Sequence, residues 1–415
     1  MQQRRLLYVT PVMPLPSGGG LAMRAASTLT ALSRHFDVEL LVVPVAGTDA
    51  EPSDFVLQHA TRVHSLDLEN HLDPHFALIS RLKDPVQREN AQRVYPKPYL
   101  SRYCTGEGAR HLYDWSSRQE LSAVHVMRLY LAPFAERFLR LGGSERPTCV
   151  LDLDDDEVRT RRRMADLHRA CGNREDAERE EVELEKYAVF AARYLPAFDC
   201  VTLCSAADID RLGRHYADAR FAVVPNGYEM PKVARRHTPS ISGPLRLLFV
   251  GTLDYFPNND AVRFLCSDVR KALRNLSDRE VEIDIVGGGG LALARSLRNS
   301  GTRIHGYVPS LTPLYAAADV AIVPIRAGGG TRIKILEAFA HRVPVVSTTM
   351  GAEGIDAIDG EHLLIGDSAE ALARACLRVK SAPEVASALA ERAAALCSTL
   401  YGAEAIATAV GNIYS

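Results

Sequence analysis

Short apolar runs alternate with helix-length segments along most of the 415 residues. In the first half these runs are rich in Val and Leu and lie at residues 6–10, 38–43, 123–126, 149–153 and 200–204. Strands that are buried on both faces read as continuous apolar runs, and helix-length connections join parallel strands. The pattern therefore predicts a parallel α/β sheet that opens with a βαβ unit.

The second half of the chain repeats this plan. Its predicted strands lie at residues 245–250, 281–286, 304–308, 320–323, 343–348 and 363–365. A polar stretch at 231–244 predicts a linker between the halves. We therefore predict an α/β protein with two doubly wound, Rossmann-like domains facing a central cleft. The first domain spans 1–230 and the second 245–395, and a helix at 396–415 either completes the second domain or crosses back to the first.

Composition narrows the class of protein. The 49 basic and 51 acidic residues leave a net charge of -2, which argues against nucleic acid as a partner. No run reaches the ~18 apolar residues of a membrane span, and residues 1–5 lead into a short strand, so we expect a cytoplasmic protein. The eight cysteines are scattered. The closest pair, Cys200 and Cys204, brackets a strand pattern and predicts reduced core thiols.

Residues 156–193 are dense in Arg and Glu. Their mixed signs favour solvated helices over a membrane-binding face, although peripheral membrane contact stays open. An acidic run that leads into this segment consists of Asp152, Asp154, Asp155, Asp156 and Glu157. Carboxylates at a strand end cap the next helix, bind a polar substrate or hold a metal ion, and we favour the first two interpretations.

A glycine loop runs from one predicted strand of the second half into a helix. Gly328, Gly329 and Gly330 precede Thr331 and the helical pattern. Glycines let the backbone approach a ligand closely, and the unpaired amides of a helix N-terminus favour phosphate. An ordinary βα turn carries glycines as well, but this loop falls at the carboxyl edge of a parallel sheet, where ligands bind. We therefore predict an anion site.

Charged residues follow the loop on the predicted helix. Lys334 and Glu337 lie three positions apart, so a helix presents them on one face. A cation suited to a diphosphate then stands beside a carboxylate suited to accept hydrogen bonds from two ribose hydroxyls. Arg332, at the helix start, either joins Lys334 on the phosphates or is a surface charge.

The first half carries candidates of its own. Gly18, Gly19 and Gly20 follow the first predicted strand, but they lack the G-x-G-x-x-G spacing of a tightly bound dinucleotide. They are candidates to approach a donor phosphate or an acceptor. His125 and Arg128, at the end of a later strand, are candidates to face the cleft, and His125 is equally well interpreted as a core histidine.

Several segments resemble the retaining, nucleotide-sugar-dependent glycosyltransferases of the GT-B architecture, the group that includes sucrose- and glycogen-synthase relatives. The resemblance is carried by Phe249-Val250-Gly251, residues 283–289, Gly306-Tyr307-Val308, residues 314–320, the glycine loop with its helix, and residues 344–354. It is specific from residue 245 to about 365 and weak in the first half.

The resemblance implies that the second domain holds a nucleotide sugar and the first domain an acceptor. Carried over by position, Gly251 belongs to the donor site, Glu337 binds the ribose, and the backbone at Tyr307 and Val308 lines the base.

This sequence departs from that family pattern in two places. Gly329 stands where relatives carry a first glutamate near the donor sugar. The loop after Gly251 also lacks the Arg and Lys that relatives place on the diphosphate. We therefore expect Lys334, together with Arg332, to supply the compensating charge.

We accordingly expect a hexosyltransferase-type glycosyltransferase of carbohydrate biosynthesis, acting with retention on a small-molecule, glycan or lipid-linked acceptor. Its catalytic candidates are Lys334, Arg332 and His125. A glycine loop, a helix N-terminus and a lysine can stabilise a departing diphosphate, so neither a metal ion nor a cofactor is expected. The alternatives are a non-hydrolysing sugar-nucleotide epimerase and a non-catalytic nucleotide-sugar-binding module, the second being favoured by Gly329.

Overall fold

A computed structural model describes residues 4–47, 51–116, 121–231, 241–297 and 301–415. The chain forms two compact units, one of Met1–Asn226 with Ile406–Ser415 and one of Gly227–Ala405. Most of the predicted linker, residues 232–240, lies outside the described residues.

The described strands of the first unit form one parallel sheet. They are β1 Arg5–Thr10, β2 Asp37–Val42, β3 Arg62–Ser65, β4 Ala123–Met127, β5 Thr148–Asp154, β6 Cys200–Leu203 and β7 Phe221–Val223. Their order is β3-β2-β1-β4-β5-β6-β7, and each neighbouring pair is parallel. The strand order therefore reverses between β1 and β4, as in doubly wound sheets.

Helices connect these strands. They are α1 Gly20–Ser33, α2 Asp54–His59, α3 Pro74–Ser80, α4 Pro85–Arg93, α5 Gly106–Ser116, α6 Glu136–Leu139, α7 Glu157–Ala170, α8 Arg174–Tyr194 and α9 Ala206–Gly213. Short 3-10 turns occur at Tyr99–Tyr103, Leu129–Ala135, Gly143–Glu145 and Leu195–Ala197. Helices α7 and α8 form the Arg- and Glu-rich segment at 156–193. Few of their residues are buried, as expected for solvated helices.

The second unit repeats the same sheet order. Its strands are β8 Leu245–Val250, β9 Val281–Val286, β10 Thr302–Ile304, β11 Val320–Val323, β12 Val345–Ser347 and β13 Leu364–Ile365. Their order is β10-β9-β8-β11-β12-β13, all parallel, with the reversal between β8 and β11. Its helices are α10 Phe256–Phe264, α11 Arg270–Leu276, α12 Leu291–Ser296, α13 Thr312–Ala317, α14 Ile333–Ala340, α15 Thr349–Ala352, α16 Ala369–Ser381 and α17 Pro383–Leu400, and a π-helical turn at Leu265–Val269 joins α10 to α11.

The last helix, α18 (Ala403–Tyr414), ends in the first unit. Ile406, Val410 and Tyr414 pack in the core cluster of that unit that also contains Leu29 and Leu40. Of the two options predicted for residues 396–415, residues 406–415 thus follow the second and return to the first unit. Helix α17 stays in the second unit.

Two doubly wound parallel sheets confirm the predicted fold class, but three strands differ from prediction. The sheet-edge strands β3 and β7 have no apolar run, because most of their residues are only half-buried or exposed. Strand β10 covers Thr302–Ile304 and not 304–308. Edge strands bury one side at most, so their sequences lack the signal on which the prediction rests.

One stretch of the described residues, Pro383–Tyr414, is long and apolar enough to cross a membrane. It consists of α17 and α18, whose apolar residues contribute to the cores of the two units. Core helices of soluble proteins pass the same test, so this stretch is weak evidence for a span.

Candidate functional site

The reversal of strand order in the second sheet places two loops side by side. Residues 251–255 follow β8, and residues 324–332 follow β11, its neighbour in the sheet. In open α/β sheets, ligands bind at the carboxyl ends of strands where the order reverses. The predicted glycine loop is therefore at the position in the fold where a ligand is expected.

Gly251 permits a close approach of two side chains to the end of β8. A Cβ atom there would lie 2.7 Å from Lys334 Nζ and 2.8 Å from Asn258 Nδ2. Gly287, at the end of β9, has φ +149°, and a Cβ atom there would overlap the Gly251 carbonyl oxygen. A side chain at either position would displace the groups that form the site.

Lys334 projects from the first turn of α14 into this position. Its Nζ donates a hydrogen bond to Asn258 Oδ1 at 2.7 Å and lies 4.4 Å from the centroid of the Phe249 ring. The contact with Asn258 uses one of the three ammonium N–H donors. Burial and the nearby Arg332 lower the pKa of Lys334 to about 7. The site therefore favours an anionic ligand, because a negative charge beside Nζ would stabilise the ammonium form that burial and Arg332 disfavour.

Arg332 acts on the glycine loop itself. Its guanidinium donates hydrogen bonds to the carbonyl oxygens of Gly329 and Gly330. Gly328 and Gly330 have φ values of +113° and +68°, which glycine adopts without strain. Arg332 therefore braces the loop, and its predicted contact with the phosphates stays a prediction.

Glu337 lies one turn further along α14, and its carboxylate is half-buried. It accepts a hydrogen bond from the Tyr315 hydroxyl at 3.1 Å, and the Tyr228 hydroxyl also donates to it. Burial raises the pKa of Glu337, while the two hydroxyls and Lys334 oppose that rise. Lys334 and Glu337 thus share one helix face, as their spacing predicts.

The predicted base-lining segment follows β10. Tyr307 is 79% exposed, and Val308 is half-buried. The Gly306 carbonyl accepts a hydrogen bond from the Gly287 N–H at 2.9 Å, which holds this segment beside the loop after β9. The role of Tyr307 and Val308 at the base stays a prediction.

The first unit has its own reversal between β1 and β4. Gly18 to Gly20 follow β1, and Gly20 begins α1. A Cβ atom at Gly18 or Gly19 would meet no atom within 4 Å, so these two glycines border open space. Their predicted acceptor role is compatible with that position and stays a prediction.

Arg128 follows β4 and binds the acidic run. Its guanidinium donates to Asp155 and Glu157, each at 2.8 Å, and to Asp154 at 3.3 Å. Asp156 caps α7 by accepting a hydrogen bond from the Arg159 N–H. Within the described residues, no group of three or more His, Cys, Asp and Glu is arranged to hold a metal ion. The acidic run therefore forms ion pairs and a helix cap, and Arg128 is a partner of its carboxylates.

His125 is enclosed in the core of the first unit. Only 1% of its surface is exposed, and its Nδ1 lies 2.7 Å from the Tyr414 hydroxyl oxygen. Burial and the Arg24 charge lower the pKa of His125 to about 4, although Asp152 opposes this. A buried, neutral imidazole favours the core interpretation of His125 over the catalytic one.

Comparisons with known proteins agree with this geometry. Residues 244–381 match the family model "Glycosyl transferases group 1". The matched residues lie within the second unit, so this unit contains a group 1 glycosyltransferase domain. No curated protein matches it in sequence.

Solved structures share the fold of the whole chain. Sucrose-phosphate synthase from Thermosynechococcus elongatus has a TM-score of 0.70 at 15% identity, over 99% of this chain and 98% of that chain. HepE from Anabaena, in complex with UDP-glucose, has a TM-score of 0.63 at 13% identity, over 98% of both chains. A TarM variant from S. aureus, in complex with fondaparinux, α-GlcNAc-glycerol and UDP, has a TM-score of 0.65 at 10% identity, over 100% of both chains. The two parallel sheets are those of the GT-B fold.

Three residues of the candidate site were not singled out from the sequence. Asn258 contacts Lys334, and Tyr228 and Tyr315 contact Glu337. Asn258 and Lys334 are 76 positions apart, and Tyr315 and Glu337 are 22 apart. No local spacing links such pairs, because only the sheet order brings them together.

Proposed function

We propose that this glycosyltransferase transfers a sugar from a UDP-sugar to an acceptor, with retention of anomeric configuration and without a metal ion. The observation that carries the proposal is the Lys334 ammonium, which is held by Asn258 against Gly251 at the reversal of the second sheet. The complexes of HepE with UDP-glucose and of TarM with UDP support the choice of nucleotide.

The chemistry requires stabilisation of the leaving diphosphate. Negative charge develops on it while the sugar becomes oxocarbenium-like, so preorganised positive groups lower the barrier. Lys334 provides a charge, and the first amides of α14 provide N–H donors, since its N-cap residue Arg332 makes no side-chain capping bond. Glu337 accepts hydrogen bonds from the ribose.

The acceptor belongs to the first unit in this proposal. Gly18 and Gly19 border open space beyond β1, Gly20 begins α1, and Arg128 lies at the end of the neighbouring strand β4. A small molecule, a glycan or a lipid-linked sugar fits the proposal equally, and we propose a cytoplasmic location and a role in carbohydrate biosynthesis.

A ligand screen tests the proposal directly. A ligand that binds only the native state at one hundred times its Kd adds about 2.7 kcal/mol to the free energy of unfolding. UDP and UDP-sugars should therefore raise the melting temperature, and slow release of UDP from a UDP-sugar should occur without acceptor. Stabilisation without any UDP release would favour a binding module, and no response to any nucleoside diphosphate would refute the proposal.

Replacing Glu337 by Ala should weaken UDP binding about 30-fold. The carboxylate makes two charge-assisted hydrogen bonds to the ribose in this proposal, and losing them costs about 2 kcal/mol. Titration calorimetry measures the effect, and Glu384→Ala, at an exposed glutamate of α17, is the matched control. Equal affinities of Glu337→Ala and the wild type would remove Glu337 from the site.

Turnover should be independent of divalent metal ions. Lys334 and the N-terminus of α14 carry the leaving-group charge in this proposal, so a chelator should leave the initial rate unchanged. Activity that is lost with a chelator and restored by magnesium or manganese would contradict the proposal, and variants of Asp154, Asp155 and Asp156 would then be tested first.

A further inference from the structure

Two tyrosines hold the carboxylate that the proposed function assigns to the ribose. Tyr315 donates to Glu337 Oε2 at 3.1 Å, and Tyr228 donates to the same carboxylate. The Tyr315 side chain is 1% exposed, and Tyr228 is half-buried. A buried carboxylate needs such donors, but two tyrosine hydroxyls from different parts of the unit also restrict its orientation.

Each tyrosine is fixed by a separate contact. The Tyr315 ring, on α13, stacks on the His341 ring with centroids 4.6 Å apart and an interplanar angle of 10°. Tyr228 is the second residue of its unit, and its backbone N–H donates to the Tyr401 carbonyl at the end of α17 at 3.1 Å. The directions from which the two hydroxyls reach Glu337 are therefore set by packing, before any ligand binds.

The number of acceptor positions on the carboxylate then limits what it can bind. An ionised carboxylate offers about four lone-pair directions. The two tyrosine hydroxyls occupy two of them and leave about two, which is the number that a pair of vicinal hydroxyls needs. We propose that Tyr228 and Tyr315 are positioning residues that orient Glu337 toward both hydroxyls of a ribose, so that the site selects ribonucleotides over 2′-deoxyribonucleotides. This inference rests on the nucleotide site of the proposed function.

The charge on Glu337 provides a second readout. The groups facing it are Tyr315 on α13, Tyr228 before β8 and Lys334 on its own helix. His341, which follows that helix, stacks on Tyr315, and Cys397 of α17 lies beside Tyr228. Burial lowers the pKa of His341 and raises the pKa of Cys397 to about 12, so both are neutral near pH 7. Both tyrosine hydroxyls lower the pKa of Glu337. Removing one should raise that pKa and move the loss of ribose binding at low pH to a higher pH.

Titration calorimetry with UDP and 2′-deoxy-UDP at pH 7.5 tests the proposal. The wild type should prefer UDP by about tenfold or more, as expected for one hydrogen bond to a charged group. Tyr315→Phe and Tyr228→Phe should lose about tenfold in UDP affinity and less in 2′-deoxy-UDP affinity, because 2′-deoxy-UDP has only its 3′-hydroxyl to bind Glu337. The preference for UDP should therefore fall. Tyr194→Phe is the matched control, because it removes a tyrosine hydroxyl from a glutamate, Glu136, in the first unit.

A pH series with UDP-glucose completes the experiment, because its diphosphate does not titrate between pH 5 and pH 8. The affinity of each Phe variant relative to the wild type should fall as the pH is lowered. If the Phe variants keep the wild-type preference for UDP over 2′-deoxy-UDP and the wild-type pH profile, the inference is overturned, but the proposed UDP site is not. A wild type that fails to bind UDP would overturn the proposed function as well. If Tyr315→Phe does not fold, the half-buried Tyr228→Phe decides the question by itself.

Discussion

Replacing Lys334 by Ala should lower the turnover number on the order of 10²-fold, a loss of about 3 kcal/mol of transition-state stabilisation. The reason is the position of its ammonium, 2.7 Å from Asn258 and packed against Gly251 where the diphosphate is proposed to bind. The charge of the leaving group grows in the transition state, so kcat should fall more than donor affinity. Steady-state kinetics with a UDP-sugar, together with calorimetric affinity for UDP, measure both quantities.

Three variants control this experiment. Lys271→Ala removes an exposed lysine of α11 and should retain activity. Lys334→Arg should recover only part of the rate, because a planar guanidinium does not replace a compact ammonium. Near wild-type turnover of Lys334→Ala, combined with a loss in Arg332→Ala, would reverse the roles assigned to these two residues.

The pH dependence of donor binding identifies the same group. The pKa of Lys334 is about 7 in the free protein, and a bound anion raises it. Affinity for UDP-glucose should therefore decrease as the pH rises above 7, since the ammonium is lost from the free protein first. Lys334→Arg keeps its charge over this range, so that decrease should be absent from its profile.

Replacing Arg24 by Met should lower the free energy of unfolding by about 3–5 kcal/mol. Arg24 and Asp152 are 2% and 1% exposed, and the guanidinium donates to both carboxylate oxygens, with its shortest contact at 2.6 Å. Removing the cation leaves Asp152 as an uncompensated buried charge. Denaturant unfolding of the full chain, compared between the variant and the wild type, measures the loss.

A second substitution distinguishes the buried charge from lost packing. Asp152→Asn in the Arg24→Met background removes the charge but keeps an acceptor for the Thr202 hydroxyl, so it should recover part of the stability. Arg214→Ala, at an exposed arginine that follows α9, should change stability by less than about 0.5 kcal/mol. A double variant no more stable than Arg24→Met would mean that packing, and not charge, dominates the effect.

The sequence by itself determined the features that depend on neighbouring residues. Buried strands such as β1 and β11 contain continuous apolar runs, so both sheets and their glycine-rich turns could be predicted. The spacing of Lys334 and Glu337 needs only the helical period to place both side chains on one face. The prediction that a helix follows the glycine loop also depends only on neighbouring residues.

Only the tertiary structure decided which distant groups meet. The sheet order brings Asn258 to Lys334, and packing brings Tyr315 to Glu337, over separations of 76 and 22 positions. The tertiary structure also places His125 in the core. The sequence could not decide this, because in a sheet buried on both sides the strand pattern does not distinguish a residue under a helix from one at the ligand-facing edge. The pKa values of Lys334 and Glu337 follow from these contacts and from burial, so no local pattern in the chain contains them.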